Sequence, residues 1–377
     1  MRIAFAGGGT GGHLFPGLSL AQELHRRDPA GHLLFLCTDR DGTYGGLTEP
    51  WLEVAVLPGS NQGALPRRLA GLLPAAGGAL RQLLRFRPDL VVGLGGYGSL
   101  APVLCARVLG IPSLLLEQNV VPGRANRLLA RLADEVACQW AESARYFDPR
   151  RKVSVTGNPI RTGIRRAPRA EAAAALGLDP SAPTLLVMGG SQGARPLNNR
   201  IVDALPHFAE AGLPVQFVHL AGRADRERVA AAYAEQGLRA AVRGFLDDMA
   251  LAYGACDLAL SRAGGTSIAE LTALGIPALL VPLPHAADDH QRLNARVLEY
   301  QGAALVVEQD ELTAPGLARH VVHLLDDPER LRHMAARSRA VGVPRAASVV
   351  ADHVEAVLSV RNGGGQQGGY RDGGGRA

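Results

Sequence analysis

The feature that most constrains the fold of this chain is a repeated pattern of short apolar segments that end in glycine-rich turns. The segment RIAFAGGGTGG (Arg2–Gly12) resembles TLLVMGGSQGA (Thr184–Ala194), and DLVVGLGGYGS (Asp89–Ser99) resembles DLALSRAGGTS (Asp257–Ser267). Each segment has the form of a strand that runs into a tight turn, and the two pairs follow the same order in both halves. This order predicts two similar domains, each built on a parallel sheet.

Short apolar runs and longer segments of helical periodicity alternate along the chain, which is typical of α/β proteins with doubly wound parallel sheets. Strands are predicted at Arg2–Ala6, Leu33–Cys37, Leu90–Gly93, Ser113–Leu116, Glu135–Ala137, Val153–Val155, Thr184–Met188, Val215–Leu220, Ala241–Gly244, Leu258–Ser261, Ala278–Val281 and Ala304–Val307. Helical periodicity is found at Gly17–Arg26, Arg124–Leu132, Leu197–Ala209 and Ile268–Ala273.

A length of 377 residues suits two domains. The breaker-rich segment Gly157-Asn-Pro-Ile-Arg161 is the predicted junction, so we expect an N-terminal domain over 1–158 and a C-terminal domain over 159–345. A final helix is predicted over 346–361. Residues 362–377 are mostly Gly, Gln and Arg, and this composition predicts a disordered tail.

Composition narrows the class of partner. The net charge is +5, but no long block of Lys and Arg is present and only 5% of residues are aromatic, which disfavours nucleic acid. An anionic small ligand or an anionic membrane surface fits the charge as well. Cys37, Cys105, Cys138 and Cys256 have no metal-like or redox-like spacing, so we expect reduced thiols in a cytosolic protein. Neither a signal peptide nor a membrane-spanning segment is predicted.

The glycine turns are candidate anion sites, because a strand–glycine–helix turn directs backbone N–H groups and the positive end of a helix dipole to one point. The turns match neither the P-loop nor the dinucleotide-binding pattern. A tight turn without a ligand is the alternative for each turn by itself, but four such turns favour ligand binding at the carboxyl ends of the strands.

His13 closes the first glycine turn and is predicted to lie at the start of a helix. The dipole there disfavours the imidazolium form, which suits a neutral general base. The alternative is a histidine that caps or packs against the turn.

Three further segments carry polar groups after predicted strands. Glu117-Gln118-Asn119 could bind hydroxyls or simply be solvated. Thr266, Ser267 and Glu270 could hold a ribose, although Glu270 could equally stabilise a helix N-terminus. The segment His285–Asn294 (HAADDHQRLN) suits a sugar, and its spacing does not assemble a convincing metal site.

The segment Ala64–Arg87 combines leucines at helical spacing with five interspersed arginines. This composition is typical of a helix that lies on anionic lipid, and equally of an amphipathic helix packed on a sheet. Pro74 and the pair Gly77-Gly78 are predicted to interrupt either helix.

Seven of these motifs occur together, in order, in a known family. They are GGTGGHLFPGL, GGYGS, EQN followed by PG and N, GNPIR, GGSQGA followed by LN, FLDDM, and DHQRLNA. In these motifs the chain, from Arg2 to about Ala351, resembles the MurG family of N-acetylglucosamine (GlcNAc) transferases.

The resemblance implies a glycosyltransferase B fold, in which two Rossmann-like, doubly wound domains face a central cleft. It also implies inverting transfer of GlcNAc from UDP-GlcNAc to the C4 hydroxyl of N-acetylmuramic acid (MurNAc) in undecaprenyl-pyrophosphoryl-MurNAc-pentapeptide (lipid I), which gives lipid II. The implied partners are UDP-GlcNAc, lipid I, an anionic membrane surface and other cell-wall synthesis proteins, with no nucleic acid. A peripheral location on the cytoplasmic face of the plasma membrane follows. No metal cofactor is expected, because helix dipoles and an arginine can hold the diphosphate.

The resemblance also implies roles for individual residues. His13 is the catalytic base. The donor-binding residues are Thr10, Gly11, Gly12, Asn119, Arg161, Ser191, Leu246, Thr266, Glu270, His290 and Gln291. The acceptor-binding residues are Gly11, Gly12, Gly95, Gly96, Tyr97, Glu117 and Asn119. The membrane-associating residues are Leu69, Leu72, Leu73, Leu80, Leu83, Leu84, Arg81 and Arg85.

Within the donor set, Glu270 is implied to accept from the ribose hydroxyls, and the backbone near Leu246 to bind the uracil. Ser191, Thr266 and Arg161 are implied to hold the diphosphate. His290 and Gln291 are implied to contact the GlcNAc hydroxyls, with Asn294 in support.

The chain departs from the family pattern at two places. His290-Gln291 stands where some members have two glutamines, and the segment Cys37–Pro50 follows the pattern only loosely. Three other functions remain open at this stage: a UDP-sugar transferase with another lipid or small acceptor, a nucleotide-sugar epimerase, and a non-catalytic nucleotide-sugar sensor.

Overall fold

A computed structural model of the chain describes residues 1–8, 11–38, 47–58, 71–161, 163–190 and 193–364. Its first half contains one parallel sheet of seven strands in the order β3-β2-β1-β4-β5-β6-β7. The strands are β1 (Arg2–Ala6), β2 (His32–Cys37), β3 (Leu52–Val56), β4 (Leu90–Gly93), β5 (Ser113–Glu117), β6 (Glu135–Cys138) and β7 (Val153–Val155).

The second half contains one parallel sheet of six strands in the order β10-β9-β8-β11-β12-β13. Its strands are β8 (Thr184–Met188), β9 (Gln216–Leu220), β10 (Ala240–Arg243), β11 (Leu258–Ser261), β12 (Ala278–Leu280) and β13 (Ala304–Val306). In both sheets the order reverses beside the first strand of that half, β1 or β8. Such a switch point opens a crevice at the carboxyl ends of the strands.

Helices cover both faces of each sheet, so that buried apolar residues form a core on either side. The helices are α1 (Gly11–Arg27), α2 (Leu72–Phe86), α3 (Leu100–Val108), α4 (Arg124–Leu129), α5 (Arg169–Leu176), α6 (Arg195–Glu210), α7 (Arg226–Glu235), α8 (Met249–Ala255), α9 (Gly265–Ala273), α10 (His290–Tyr300), α11 (Ala314–Leu325), α12 (Pro328–Val341) and α13 (Ala346–Gly364). The doubly wound fold class is therefore confirmed.

The last helix returns to the first half of the chain. Arg27 on α1 donates to Asp352 and Glu355 on α13, and α13 packs on α1. The helix ends at Gly364, three residues beyond its expected end at 361. Most of the predicted tail, 365–377, lies outside the described residues.

Two details of the fold differ from the sequence-based expectation. Strand β3 was not predicted, because it is an edge strand in which only Leu52 is buried. Helix α2 is not interrupted at Pro74 or at Gly77-Gly78. Pro74 is the third residue of the helix, where a backbone N–H has no intrahelical partner to lose.

The four cysteines are free thiols, and Cys37, Cys138 and Cys256 are buried. Burial raises the pKa of the Cys256 thiol to about 12, which makes it a poor nucleophile. Over the ranges given above, no helix is both long enough and apolar enough to cross a membrane.

Candidate active site

A cleft of about 460 Å³ lies between the two halves, with the carboxyl ends of β8 to β11 on one side and the start of α1 on the other. It is lined by Gly11, Gly12, Phe15, Arg161, Met188, Gly189, Gly190, Gly193, Leu220, Gly244, Phe245, Leu246, Met249, Arg262, Gly264, Gly265, Thr266, Ser267, Glu270, Leu283 and Gln291. Seven of the donor-binding residues predicted from the sequence are in this set: Gly11, Gly12, Arg161, Leu246, Thr266, Glu270 and Gln291.

His13 lies in the first turn of α1 and packs against the glycine turn after β4. A Cβ atom built on Gly95 would lie 3.0 Å from His13 Cδ2, and one built on Gly96 would lie 3.2 Å from the Gly8 carbonyl oxygen. Both glycines have positive φ angles, +92° and +71°. The two glycine turns therefore pack against each other and against the imidazole, an arrangement that side chains at these positions would prevent.

Tyr97, which follows these glycines, lines a separate small cavity with Thr38 and Leu72. In the structure this residue therefore lies near the end of β2 and the start of α2 rather than among those that line the cleft.

Glu117 was predicted to contact the acceptor, but its carboxylate is turned into the protein. One oxygen accepts from the backbone and side-chain amides of Asn119, at 2.9 and 3.3 Å. The other accepts from Gly123 N and Asn126 Nδ2, at 3.0 and 2.9 Å. Burial raises the pKa of Glu117, while these four donors favour its charged form. The prediction of direct contact is thus corrected: Glu117 organises the loop from Asn119 to Asn126.

On the opposite wall of the cleft, Glu270 is buried at the second turn of α9. Tyr253 Oη donates to its Oε2 at 2.5 Å, and Arg161 Nε donates to its Oε1 at 3.2 Å. Burial and the neighbouring carboxylate raise the pKa of the Tyr253 hydroxyl, so it stays a proton donor. The Arg161 guanidinium also lies 5.3 Å from the ring centre of Phe15 on α1, so this arginine reaches both halves.

Helix α10 supplies the sugar-binding candidates. Gln291 lines the cleft, and its Oε1 accepts from the Leu283 amide at 2.9 Å. His290 Nδ1 lies 2.6 Å from the Ala287 carbonyl oxygen and is outside the set that lines the cleft. Asp288, in the His285–Asn294 segment, accepts from Arg124 and Arg127. In the described part of the chain, no three His, Cys, Asp or Glu side chains are grouped as metal ligands would be.

Several lining residues were assigned no role from the sequence, among them Met188, Phe245, Met249 and Arg262. Phe245 is 44% exposed and stands directly before Leu246 in the FLDDM motif, a position suited to stacking on a planar ring. Arg262 is buried and donates to the Val281 and Pro282 carbonyls and to Gln309. Burial lowers its pKa. The sequence could have indicated Arg262 as a cleft residue, because it is the arginine of SRAGG, which is one of the repeated turns.

The surface of α2 agrees in part with the predicted membrane contact. Leu73, Leu80 and Leu84 are 80%, 38% and 54% exposed, and Arg81 and Arg85 are exposed beside them. Leu72 is half-buried, whereas Leu83 is only 1% exposed and packs in the core. The assignment of Leu83 to the membrane surface is therefore wrong, because it points to the sheet. The neighbouring α3 adds Leu104 and Val108 to the exposed apolar surface.

Three predicted site residues lie outside the described residues: Thr10, Ser191 and Leu69. Asn119 and Asn294 are brought together by hydrogen bonds between the two halves, as described below.

Comparison with known proteins agrees with this geometry. The N-terminal domain of glycosyltransferase family 28 matches residues 3–138, and its C-terminal domain matches residues 184–350. A relative from Anaeromyxobacter dehalogenans (strain 2CP-C) is 45% identical over 93% of this chain and 92% of its own length. Another, from Nitratidesulfovibrio vulgaris, is 44% identical over 96% of this chain and 98% of its own length. Both are named UDP-N-acetylglucosamine–N-acetylmuramyl-(pentapeptide) pyrophosphoryl-undecaprenol N-acetylglucosamine transferase.

Among solved structures, Acinetobacter baumannii MurG superposes with a TM-score of 0.75 at 31% sequence identity. The match covers 94% of this chain and 99% of that protein. Both family domains, the relatives over almost their whole length and the shared architecture lead to one conclusion. The chain belongs to glycosyltransferase family 28, in the group of MurG N-acetylglucosamine transferases.

Proposed function

We propose that this protein transfers GlcNAc from UDP-GlcNAc to the C4 hydroxyl of MurNAc in lipid I, giving lipid II and UDP. The observation that carries the proposal is the cleft between the halves. On one wall it holds Glu270, Arg161 and Leu246, and on the other the first turn of α1. A nucleotide sugar and an acceptor hydroxyl can meet there while both are shielded from water.

The donor lies against the second half. Glu270 accepts from the ribose hydroxyls, the backbone at Leu246 binds the uracil edge, and Phe245 stacks on the ring. The diphosphate lies between Arg161 and the N-terminal ends of α6 and α9, whose free backbone N–H groups and dipoles favour anions. The backbone amide of Thr266 belongs to the α9 end, and Ser191 precedes α6 in the sequence. Gln291 and His290 bind the GlcNAc hydroxyls.

The reaction is a single displacement. His13 takes the proton of the MurNAc C4 hydroxyl, and the oxygen attacks the anomeric carbon from the face opposite the diphosphate. The bond from that carbon to the phosphate oxygen breaks, its electron pair leaves with UDP, and the configuration inverts from α to β. The N-terminal end of α1 disfavours a positive charge at this position before the proton transfer. Arg161 and the helix-end amides stabilise the charge on the leaving diphosphate.

The acceptor approaches from the first half. Its pyrophosphate lies near Gly11, Gly12 and the turn at Gly95-Gly96, with Tyr97 and Asn119 shaping the loops around it. Because the lipid chain stays in the bilayer, the protein binds the cytoplasmic face peripherally, through the exposed leucines and arginines of α2. Apolar area and basic charge together give reversible binding to anionic lipid.

The test is an assay with UDP-GlcNAc labelled in the sugar and a short-chain lipid I analogue. We expect labelled disaccharide product only when the acceptor is present, with one UDP formed per product. Conversion of the labelled sugar to its epimer without acceptor would indicate an epimerase. Binding of UDP-GlcNAc without turnover would indicate a sensor, and transfer to other acceptors but not to the analogue would contradict the proposed substrate.

A further inference from the structure

Among the hydrogen bonds that join the halves, two sets lie beside groups of the proposed site. At the first, Thr266 Oγ1 at the start of α9 donates to the Gly12 carbonyl of α1 at 3.0 Å. In an α-helix this carbonyl accepts from the residue four positions later, which here is Pro16. Proline has no N–H, so the Gly12 carbonyl is free to accept from the other half.

At the second bridge, Asn294 of α10 is completely buried and joins three partners. Its Oδ1 accepts from Val120 N at 2.9 Å, and its Nδ2 donates to Asn119 Oδ1 at 3.0 Å and to the Ala263 carbonyl at 3.1 Å. Two of these partners belong to the first half and one to the second. A buried amide with this many bonds holds one orientation.

The first-half side of this second bridge is itself rigid. Glu117 fixes both the backbone and the side chain of Asn119. Beside it, a Cβ atom built on Gly265 would lie 2.5 Å from the Gln118 carbonyl oxygen, so the two halves touch there with no space for a side chain. The bridge thus connects two ordered surfaces rather than two loose loops.

Both bridges stand next to groups of the proposed site. Gly12 directly precedes His13, and Asn294 lies one helical turn after Gln291, on the same helix. The two connections therefore fix the distance between the proposed base and the proposed sugar-binding residue.

We propose that Pro16 and Asn294 are positioning residues: they hold the two halves in the relative position in which His13 faces the donor sugar. The expected effect on kcat rests on the proposed function, whereas the relative position of the two halves is a structural property that can be tested without it. Asn294 is then a connector between domains and not a ligand of the sugar.

The first test is Pro16→Ala, which returns an N–H to the Gly12 carbonyl in competition with Thr266. We expect the melting temperature to stay equal or rise, because proline disfavours a helix interior. We expect kcat to fall at least tenfold, with the Kd of UDP changed less than threefold. Pro206→Ala is the matched control, since Pro206 also lies inside a helix, towards the C-terminal end of α6, and does not line the cleft. It should leave kcat within twofold.

The second test is Asn294→Ala, with hydrogen–deuterium exchange at the Val120 amide as the readout. We expect this amide to exchange at least tenfold faster and kcat to fall at least tenfold. Gln216→Ala is the matched control, because Gln216 is a buried amide that bonds Asp179 and Thr184 within the second half. It should lower stability comparably without changing exchange at Val120 or kcat.

The proposal is overturned if Pro16→Ala keeps kcat within twofold. It is also overturned if Asn294→Ala raises the KM for UDP-GlcNAc while Val120 exchange is unchanged, since that pattern belongs to a sugar ligand. If Pro16→Ala fails to fold, hydrogen–deuterium exchange at the Val120 amide in Asn294→Ala decides whether the proposal holds. If the wild-type protein transfers no GlcNAc, the proposed function fails, whereas the exchange result still tests the relative position of the two halves.

Discussion

At the scale of single residues, the glycines around His13 have a reason that is independent of any ligand. A Cβ atom on Gly7 would lie 2.8 Å from the Gly95 carbonyl oxygen, and one on Gly95 would press on the imidazole. From the sequence, these glycines were expected to let backbone N–H groups approach a phosphate. In the structure, these glycines also let the turns after β1 and β4 pack closely against each other and against His13. This packing orients the imidazole before any substrate binds.

His13→Ala tests the proposed base. We expect kcat to fall about 10²- to 10⁴-fold, the usual contribution of general base catalysis, with the Kd of UDP nearly unchanged. Steady-state kinetics with the lipid I analogue measure the first quantity and calorimetry the second. His25→Ala is the control, because His25 lies on the same helix and stacks on Trp51 away from the cleft. A near-normal kcat in His13→Ala would remove this residue as the base.

Glu270→Ala tests the ribose contact. Loss of hydrogen bonds to a charged group costs about 1.5–3 kcal/mol each, so we expect the Kd of UDP to rise by a factor of ten or more. Tyr253→Phe removes only the hydroxyl that donates to Glu270 and should weaken UDP binding less. Equal UDP affinity in Glu270→Ala and the wild type, by calorimetry, would count against the assignment.

The incorrect predictions for Glu117 and Leu83 have the same cause. Glu117 and Leu83 were chosen for residue type and position, but a motif does not tell which way a side chain points. Glu117 follows a buried strand and turns inward to four N–H donors, and Leu83 occupies the sheet-facing side of its helix. Seven of the donor-site residues, by contrast, lie on the cleft because they stand at strand ends or helix starts, which parallel topology gathers at one edge.

At the scale of elements, central strands were predicted almost to the residue, because strands of a parallel sheet are buried on both faces and form continuous apolar runs. The edge strand β3 lacks that signal. The helical periodicity of α1 was found only from Gly17, although His13 was predicted at a helix start and the helix begins at Gly11, since glycines are poor helix formers. Similarly, Gly78 belongs in α2 because Pro58 fills the space of its side chain.

The prediction on membrane binding concerns the exposed leucines of helix α2. Replacing Leu73, Leu80 and Leu84 together by Ser should reduce binding to anionic vesicles at least tenfold, because it removes exposed apolar area beside arginines. Activity on a short-chain acceptor should stay within twofold. Tyr300→Ser, at a residue 90% exposed in the second half, is the control for a surface change elsewhere. Unchanged vesicle binding in a sedimentation assay would contradict the assignment.

A buried network in the second half makes stability depend on pH. His219 lies 3.1 Å from both Tyr233 Oη and Asn198 Oδ1, and burial lowers its pKa to about 3. Between pH 6.5 and about 3 the unfolded chain therefore binds a proton at His219 that the folded protein does not.

The free energy of unfolding attributable to His219 should therefore fall by about 1.4 kcal/mol per pH unit as the pH drops below 6.5. His219→Gln can keep both hydrogen bonds without titrating, so urea unfolding at pH 7 and pH 5 should show a smaller pH effect in this variant. An equal pH effect in both proteins would refute the role of His219.

At the scale of the whole molecule, the contacts between the halves were beyond sequence reasoning. Thr266 and Gly12 are 254 positions apart, and Asn294 and Asn119 are 175 apart. No local pattern links such residues, and each was therefore assigned to a ligand. The fold class and the composition of the cleft follow from strand order, whereas the relative placement of two domains depends on interface packing that a single sequence does not display.

The distribution of charge over the cleft leads to a prediction about metals. Arg161 and the N-terminus of α9 line the cleft where the diphosphate is proposed to lie, and they can neutralise it without a divalent cation. Transfer activity should therefore change less than twofold in excess EDTA, measured with metal-free substrates. Arg161→Lys should instead lower kcat, because a lysine lacks the planar fork that contacts both Glu270 and a phosphate. Loss of activity in EDTA that Mg²⁺ restores would contradict this prediction.

The most direct test is the transfer of labelled GlcNAc from UDP-GlcNAc to a short-chain lipid I analogue by the wild-type protein. A crystal structure of the protein with its donor then locates the bound uridine. The account predicts acceptor-dependent product with inverted configuration, and the uridine of the donor between Leu246 and Glu270. Absence of transfer, or a uridine bound outside the cleft between the two halves, would contradict it.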